Sequence, residues 1–276
     1  MQIVRNSEEL AQMRSSVHGS LAFVPTMGAL HAGHLALIAE AKRRAGTVAA
    51  SIFVNPAQFN DKDDLAQYPR HEAEDARKLA EAGCELLWAP AVEDIYPEGF
   101  STSIHVSGLS DRWEGEHRPG HFDGVATVVS KLFIAMRPDV AIFGEKDFQQ
   151  LAVIRRMTND LGLPVTVVAI PTVREGDGLA MSSRNALLTP SDRERAPTLF
   201  KILCGLSDAI SKDASIDRAL ASAIEELEKN GFDPIDYLSY VCGETLAPLD
   251  RYRKGGRLIA AAFLGRVRLI DNVEVL

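Results

Sequence analysis

Cysteine is scarce in this sequence. Cys84, Cys204 and Cys242 are the three present, far apart and in no paired spacing. That excludes a thiolate zinc site and a disulfide framework, and it suits a reducing compartment. Long apolar runs are also missing: none approaches the roughly 20 residues that cross a bilayer. The opening stretch MQIVRNSEEL carries no signal-peptide apolar core. The expectation is a cytoplasmic protein with no membrane partner. A surplus of positive charge is absent too. The net charge of −8 argues against nucleic acid as the main partner, yet leaves room for a basic patch around a phosphate-bearing ligand.

What is present is ordinary in bulk, 46% hydrophobic and 25% charged, so the information lies in the order of residues. A chain of 276 residues has room for about two domains. Leu21–Pro25 reads as a buried strand and His34–Gly46 as the helix after it. Lys42, Arg43 and Arg44 suit the negative end of that helix, and Gly46 suits a left-handed C-terminal position. Thr47–Asn55 reads as a second strand, His71–Cys84 as a helix with a solvated charged face, and Glu85–Pro90 as a short strand. Asp139–Gly144 and Pro164–Ile170 are strands flanking a helix that begins at Phe148. Such alternation indicates βαβ units around a parallel sheet, and ligands collect beyond the carboxyl ends of such strands. Chemistry is therefore expected just after Pro25, Asn55, Phe143 and Ile170. After about Thr172 the pattern changes to a Gly- and Ser-bearing loop, two helical stretches and strand-like runs at Ile235–Val241, Arg257–Gly265 and Val267–Leu276. The expected division is an α/β domain over 1–172 and a smaller C-terminal α+β domain over 173–276.

The unusual residues fall at those strand ends. In FVPTMGALHAGH, Gly28 and Gly33 permit close backbone approach, the helix N-terminus is an anion site, and His31 and His34 share one helix face. The pair reads either as donors that neutralise charge on a phosphate or as two histidines capping a helix. Zinc fits poorly, because metalloprotease histidines lie four apart beside a glutamate. In FGEKDFQQ, Gly144 allows the turn, Lys146 offers a mobile charge for phosphate, Asp147 suits a helix cap, and Gln149 or Gln150 can aim an amide into the crevice. In GLAMSSRN, two hydroxyls precede a guanidinium, so Ser182, Ser183 and Arg184 either wrap a polyphosphate or cap a helix. After the second strand, Asn55 and Gln58 can read hydroxyl and carboxyl groups, with Tyr68 and Arg70 closing over the cleft. A nucleoside triphosphate is the common cause that joins these loops.

The pair HAGH and AMSSR is similar to the HIGH and KMSKS motifs of the nucleotidyltransferase superfamily, which includes class I aminoacyl-tRNA synthetases. The strings FVPTMGALHAGHLAL, SIFVNPAQF, FGEKDFQQL and DGLAMSSRN resemble the pantothenate synthetase (pantoate–β-alanine ligase) family. YPR, HRPGHFDGVATVV and RPDVAIFGEKD follow the same order, so the resemblance spans nearly the whole chain. It implies a Rossmann-like parallel-sheet domain of nucleotidyltransferase type and an ATP-dependent ligase. Pantoate would attack the α-phosphate of ATP, releasing pyrophosphate, and β-alanine would then take the acyl group from the adenylate, giving pantothenate and AMP. Carried over by motif, ATP would meet Met27, Gly28, Ala29, Leu30, His31, Ala32, Gly33 and His34. Gly144, Glu145, Lys146, Asp147, Val173, Met181, Ser182, Ser183 and Arg184 would complete its contacts. His34 is the usual catalytic assignment, with His31, Lys146 and Arg184 supporting charge. Gln58 would touch pantoate and β-alanine, and Gln150 would hold pantoate. Ala32 stands where relatives often carry an acidic residue. The resemblance also implies magnesium and a homodimer. The motifs name no metal ligands, and ATP oxygens with water can supply most of them. An acyl adenylate hydrolyses in water, so the second domain is expected to close as a shield. A nucleotidylyltransferase, which keeps the nucleotide in its product, is the nearest alternative enzyme. A tRNA-binding remnant is opposed by the acidic net charge.

Overall fold

Leu21, Ala22, Phe23 and Val24 are all fully buried. Leu21 and Phe23 enter the core on one face of their sheet, Ala22 and Val24 the core on the other. That alternation is what a strand covered by helices on both sides requires. The computed structural model describes the whole chain, residues 1–276. Six strands form a wholly parallel sheet: β1 (Gln2–Val4), β2 (Leu21–Thr26), β3 (Thr47–Ile52), β4 (Leu86–Trp88), β5 (Val140–Gly144) and β6 (Thr166–Ile170). Their order is β1-β4-β3-β2-β5-β6. The chain steps outward from β2 to β3 and β4, then returns to place β5 on the far side of β2. The crevice of such a sheet opens where the order reverses, between β2 and β5.

Three local readings need correction. The helix after β2 runs Ala32–Arg44 and ends on Ala45 in an extended conformation. Gly46 is not left-handed, because the chain must already be extended to enter β3 one residue later; its N–H donates to Ser20 Oγ at 3.2 Å. The second strand stops at Ile52, and Asn55 instead caps a short 3-10 turn over Pro56–Gln58. The edge strand β1 and the helix His121–Met136 had no counterpart in the sequence reading. That helix is buried on nearly every side, so it lacks the amphipathic stripe that marks a surface helix. Its Gly124 lies against the Pro56–Gln58 turn, where a Cβ would overlap the Ala57 carbonyl.

The C-terminal part of the chain holds an antiparallel sheet of β7 (Phe232–Cys242), β8 (Gly256–Leu264) and β9 (Val267–Glu274), in that order. Helices Thr198–Ile210 and Ile216–Lys229 supply the apolar residues that cover one face. The helix is interrupted between Arg195 and Thr198, because Pro197 has no N–H and its ring clashes with the preceding turn. Along β8, Leu258 and Ala260 join this local core, while Ile259 joins the core of the first sheet together with Val241 and Leu246. The second sheet is thus docked on the first domain through its other face. No helix is long and apolar enough to cross a membrane.

Candidate active site

The loop after β2 is held from behind. Gly28 and Ala29 both take positive φ, 83° and 52°, and a left-handed alanine persists only where its surroundings enforce it. Here the enforcing group is Asp75, 1% exposed. Its two carboxylate oxygens accept from Ala29 N and Leu30 N at 2.8 Å each. Lys78 Nζ donates to the Leu30 carbonyl at 2.9 Å. Asp75 was not singled out from the sequence, where its helix reads as a solvated charged face. The signal was its place four residues before the buried Leu79, on the inward side of Glu72–Ala82.

His31 and His34 make the helix cap that was one of the two alternatives left open. His31 is the N-cap of Ala32–Arg44, and its Nδ1 accepts from Gly33 N at 3.1 Å. His34 Nδ1 accepts from His31 N at 3.3 Å, making a reciprocal capping box from two imidazoles. With each Nδ1 accepting, the proton of each neutral ring is assigned to Nε2. The ring centroids are 4.1 Å apart. Burial, then the neighbouring His31, pushes His34 down to about 3, and burial with Lys146 lowers His31. They are neutral rings offering one Nε2–H each, and the loop's own amides are largely engaged within the protein.

The histidines face a cavity of about 260 Å³ whose opposite side is apolar, with Val125, Val128, Val129 and Leu132. Asn55 and Gln58 form its polar floor. Asn55 Nδ2 donates to Gln58 Oε1 at 3.0 Å and to the Gly124 carbonyl at 3.1 Å, while its Oδ1 accepts from Tyr96 OH at 2.7 Å. Gln58 Nε2 lies 3.1 Å from Met27 Sδ. The Gln58 carbonyl accepts from Arg118 at 3.1 Å and bonds His121 Nδ1 at 2.8 Å. Burial, then Arg118, lowers His121 to about 4. No role had been assigned to Tyr96, Arg118 or His121 from the residues.

At the other end stand Lys146 and the Met181–Arg184 loop. Lys146 Nζ lies 3.5 Å from Asp147 Oδ1. Asp147 occupies the N-cap position of Phe148–Asp160 but makes no side-chain cap, since its carboxylate turns toward Lys146. Gln150 lines the cavity. Gln149 does not: it is buried, with its amide bonded to Glu114 N and to the Leu109 and Arg112 carbonyls. Ser182 Oγ caps Arg184 N at 3.2 Å, and Arg184 reaches Asp64 at 3.2 Å. Tyr68 lines the cavity, whereas Arg70 bonds back to the Leu65, Ala66 and Tyr68 carbonyls and closes over nothing.

All but five of the residues carried over by motif border this cavity. Gly28, Ala29, Leu30 and Ala32 shape the loop behind it, and Glu145 turns away to Arg257 at 3.2 Å. A second cleft of about 750 Å³ opens between the domains and shares Arg118, His121, Lys146, Gln150 and Arg184 with the first. The two cavities adjoin along those shared residues. No group of three or more His, Cys, Asp or Glu side chains is arranged to hold a metal ion.

The family model for pantoate–β-alanine ligase matches residues 2–274. The pantothenate synthetase of Rhizorhabdus wittichii is 54% identical, with 100% of this chain and 99% of that protein covered. The crystal structure of pantothenate synthetase from Thermus thermophilus superposes with a TM-score of 0.94 at 48% identity, covering 100% of this chain and 99% of that one. A pantoate–β-alanine ligase from Francisella tularensis, solved in complex with β-γ ATP and β-alanine, gives a TM-score of 0.85 at 34% identity over 99% and 97% of the two chains.

Proposed function

The chain belongs to the pantoate–β-alanine ligase family, enzymes that form pantothenate, and from that premise we propose an ATP-driven reaction in two steps. The observation that carries it is a single cavity with neutral amides at one end and Lys146 and Arg184 at the other, meeting under His31 and His34. A carboxylate oxygen of pantoate, held by Gln58 and Gln150, attacks the α-phosphorus of ATP. The bond to the β-phosphate breaks and pyrophosphate leaves. The Nε2–H groups of His31 and His34 donate to the phosphate oxygens as charge grows there, and Lys146 and Arg184 neutralise the triphosphate. The amine of β-alanine then attacks the acyl carbon of pantoyl adenylate, loses a proton, and AMP leaves.

The β-γ ATP and β-alanine bound to the Francisella relative support both substrates for this chain. Magnesium would enter with ATP, held by phosphate oxygens and water, and would supply charge neutralisation on the triphosphate. We take 1–172 as the catalytic domain and 173–276 as the shield that keeps water from the adenylate. A homodimer and a cytoplasmic setting complete the reading; three unpaired cysteines suit the latter. The test is pyrophosphate exchange. Enzyme, ATP, magnesium and pantoate without β-alanine should move labelled pyrophosphate into ATP, and omitting pantoate should stop it. Exchange that appears only with β-alanine would replace the adenylate with a concerted route.

A further inference from the structure

The strand β9 reaches both phosphate-suited loops with two consecutive residues. Asp271 and Asn272 are each 5% exposed, and neighbours on a strand point to opposite sides. Asp271 accepts from Arg174 at 2.7 and 2.9 Å. Arg174 also donates to the Gly178 carbonyl at 3.0 Å and stacks on Phe200, 3.6 Å from the ring centroid, fixing the base of the Ser182–Arg184 loop. Asn272 turns the other way. Its Nδ2 donates to the Glu145 carbonyl at 2.9 Å and to the Lys146 carbonyl at 3.0 Å. Its Oδ1 accepts from Arg257 at 2.6 Å, which sets the amide's orientation. The Arg257 guanidinium in turn lies over Phe148, 4.0 Å from the centroid.

Those two carbonyls belong to the two peptide planes on either side of the Lys146 Cα. Two planes held at once fix that residue's φ and ψ, hence the direction in which its side chain leaves the backbone. One amide NH₂ can serve both, because successive carbonyls of the 3-10 turn Glu145–Asp147 point the same way. We propose that Asn272 is a positioning residue for Lys146, so that the docked C-terminal sheet aims the lysine of the first domain at the triphosphate. The inference rests on the functional reading above. It makes the C-terminal domain a working part of the adenylation site in addition to a cover.

Asn272→Asp is the sharp test, since it keeps the size and the Arg257 partner but removes both donors. Asn272→Ala is the second variant should the buried carboxylate prevent folding. The expected result is a fall of about 10- to 100-fold in kcat for pantothenate formation, the size of loss that small misplacement of a reacting group produces. KM for pantoate should stay within about twofold, as for an interaction that matters chiefly in the transition state. Pyrophosphate exchange should fall in parallel. A folded variant with wild-type kcat would overturn the proposal. So would kcat and pantoate KM worsening together, or both variants failing to fold, because Asn272 would then be scaffold alone. A wild-type chain that makes no pantothenate from the three substrates would instead remove the functional reading, and this inference with it.

Discussion

The amide of Gln58 sits among groups that are already hydrogen-bonded, with Arg118 on its backbone carbonyl, whereas the charged groups at the opposite end of the cleft are loosely paired and partly wet. Asn55 is 1% exposed and Gln58 9%, and bonds of 2.7 to 3.1 Å hold them to Tyr96, Gly124 and Met27. At the other end the Arg184 and Asp64 side chains are 37% and 45% exposed and meet at 3.2 Å. Lys146 and Asp147 meet at 3.5 Å. The difference follows from what each end is proposed to bind. A small hydroxy acid is recognised by groups placed in advance, since a buried polar group left unpaired is costly. A triphosphate arrives with its own charge and waters, and exposed cations can exchange one anionic partner for another at small cost. His31 and His34 stand between the two regimes, neutral yet aimed at charge.

Removing the donor at that junction should have the largest effect. His34→Ala should lower adenylation by roughly 10²- to 10³-fold, the usual consequence of losing one donor to a charge-developing oxygen. The variant also loses half of the capping box, worth about 1 kcal/mol, so the melting temperature should drop only modestly. Near-normal turnover in a folded variant would remove His34 from the mechanism. The next effect belongs to the neutral end. Gln58→Ala or Gln150→Ala should weaken pantoate use by about 1–3 kcal/mol while leaving ATP binding close to normal. Equal losses for ATP and pantoate in steady-state assays would abolish the distinction between the ends.

Acid should act on stability in a direction set by the buried histidines. Unfolded histidines take up protons below about pH 6.5, but folded His34 and His121 resist until about 3 and 4. The unfolded state therefore binds more protons across that window, and stability, complete above about 6.5, declines as pH falls through it. Burial would raise Glu114, but Arg268 and Arg118 outweigh it and hold the carboxyl at about 2. Its contribution starts to be lost below about 4.5, so the decline should steepen there. Melting temperatures from pH 7 to 4 would show this, and ¹⁵N spectra of His34 should keep the Nε2–H tautomer throughout. A flat profile would mean that the histidines are solvated, and the neutral reading of the junction would fall.

Much of this cleft could be read from residue order, because strand ends in a parallel sheet collect ligands whatever the side chains are. Gly144, Lys146, Gln150 and Arg184 were found that way, and Leu21–Pro25 was legible as a buried strand. What escaped notice shares one physical cause. Asp75, Arg118, His121 and Asn272 act on residues distant in sequence: Asp75 on Ala29 and Leu30, Asn272 on Glu145 and Lys146. Local periodicity can mark Asp75 as facing inward, but it does not say which distant residue such a group meets. The helix His121–Met136 was missed for a related reason, since burial on nearly every side erases the stripe that reveals a helix. Asp147 misled in the opposite sense: its position favours a cap, but a lysine next in sequence competes for the carboxylate.

The smallest expected effect is also the one that separates the two ends most cleanly. Asp64→Asn removes the charge that faces Arg184 without altering size. An exposed pair of this kind is worth about 0–1 kcal/mol, so the melting temperature should move by no more than about 4 °C in a chain of this length. Freed from Asp64, Arg184 should meet the triphosphate more readily, lowering KM for ATP by about fivefold at most. Salt offers an independent check, since screening acts on exposed charges and hardly on buried neutral ones. Raising ionic strength should erase the difference between wild type and Asp64→Asn, while the Gln58→Ala defect should persist unchanged. A rise of more than about tenfold in KM for ATP would exceed what an exposed pair can supply. Asp64 would then be a direct ligand of the nucleotide or its metal, and the charged end would be as preorganised as the neutral one.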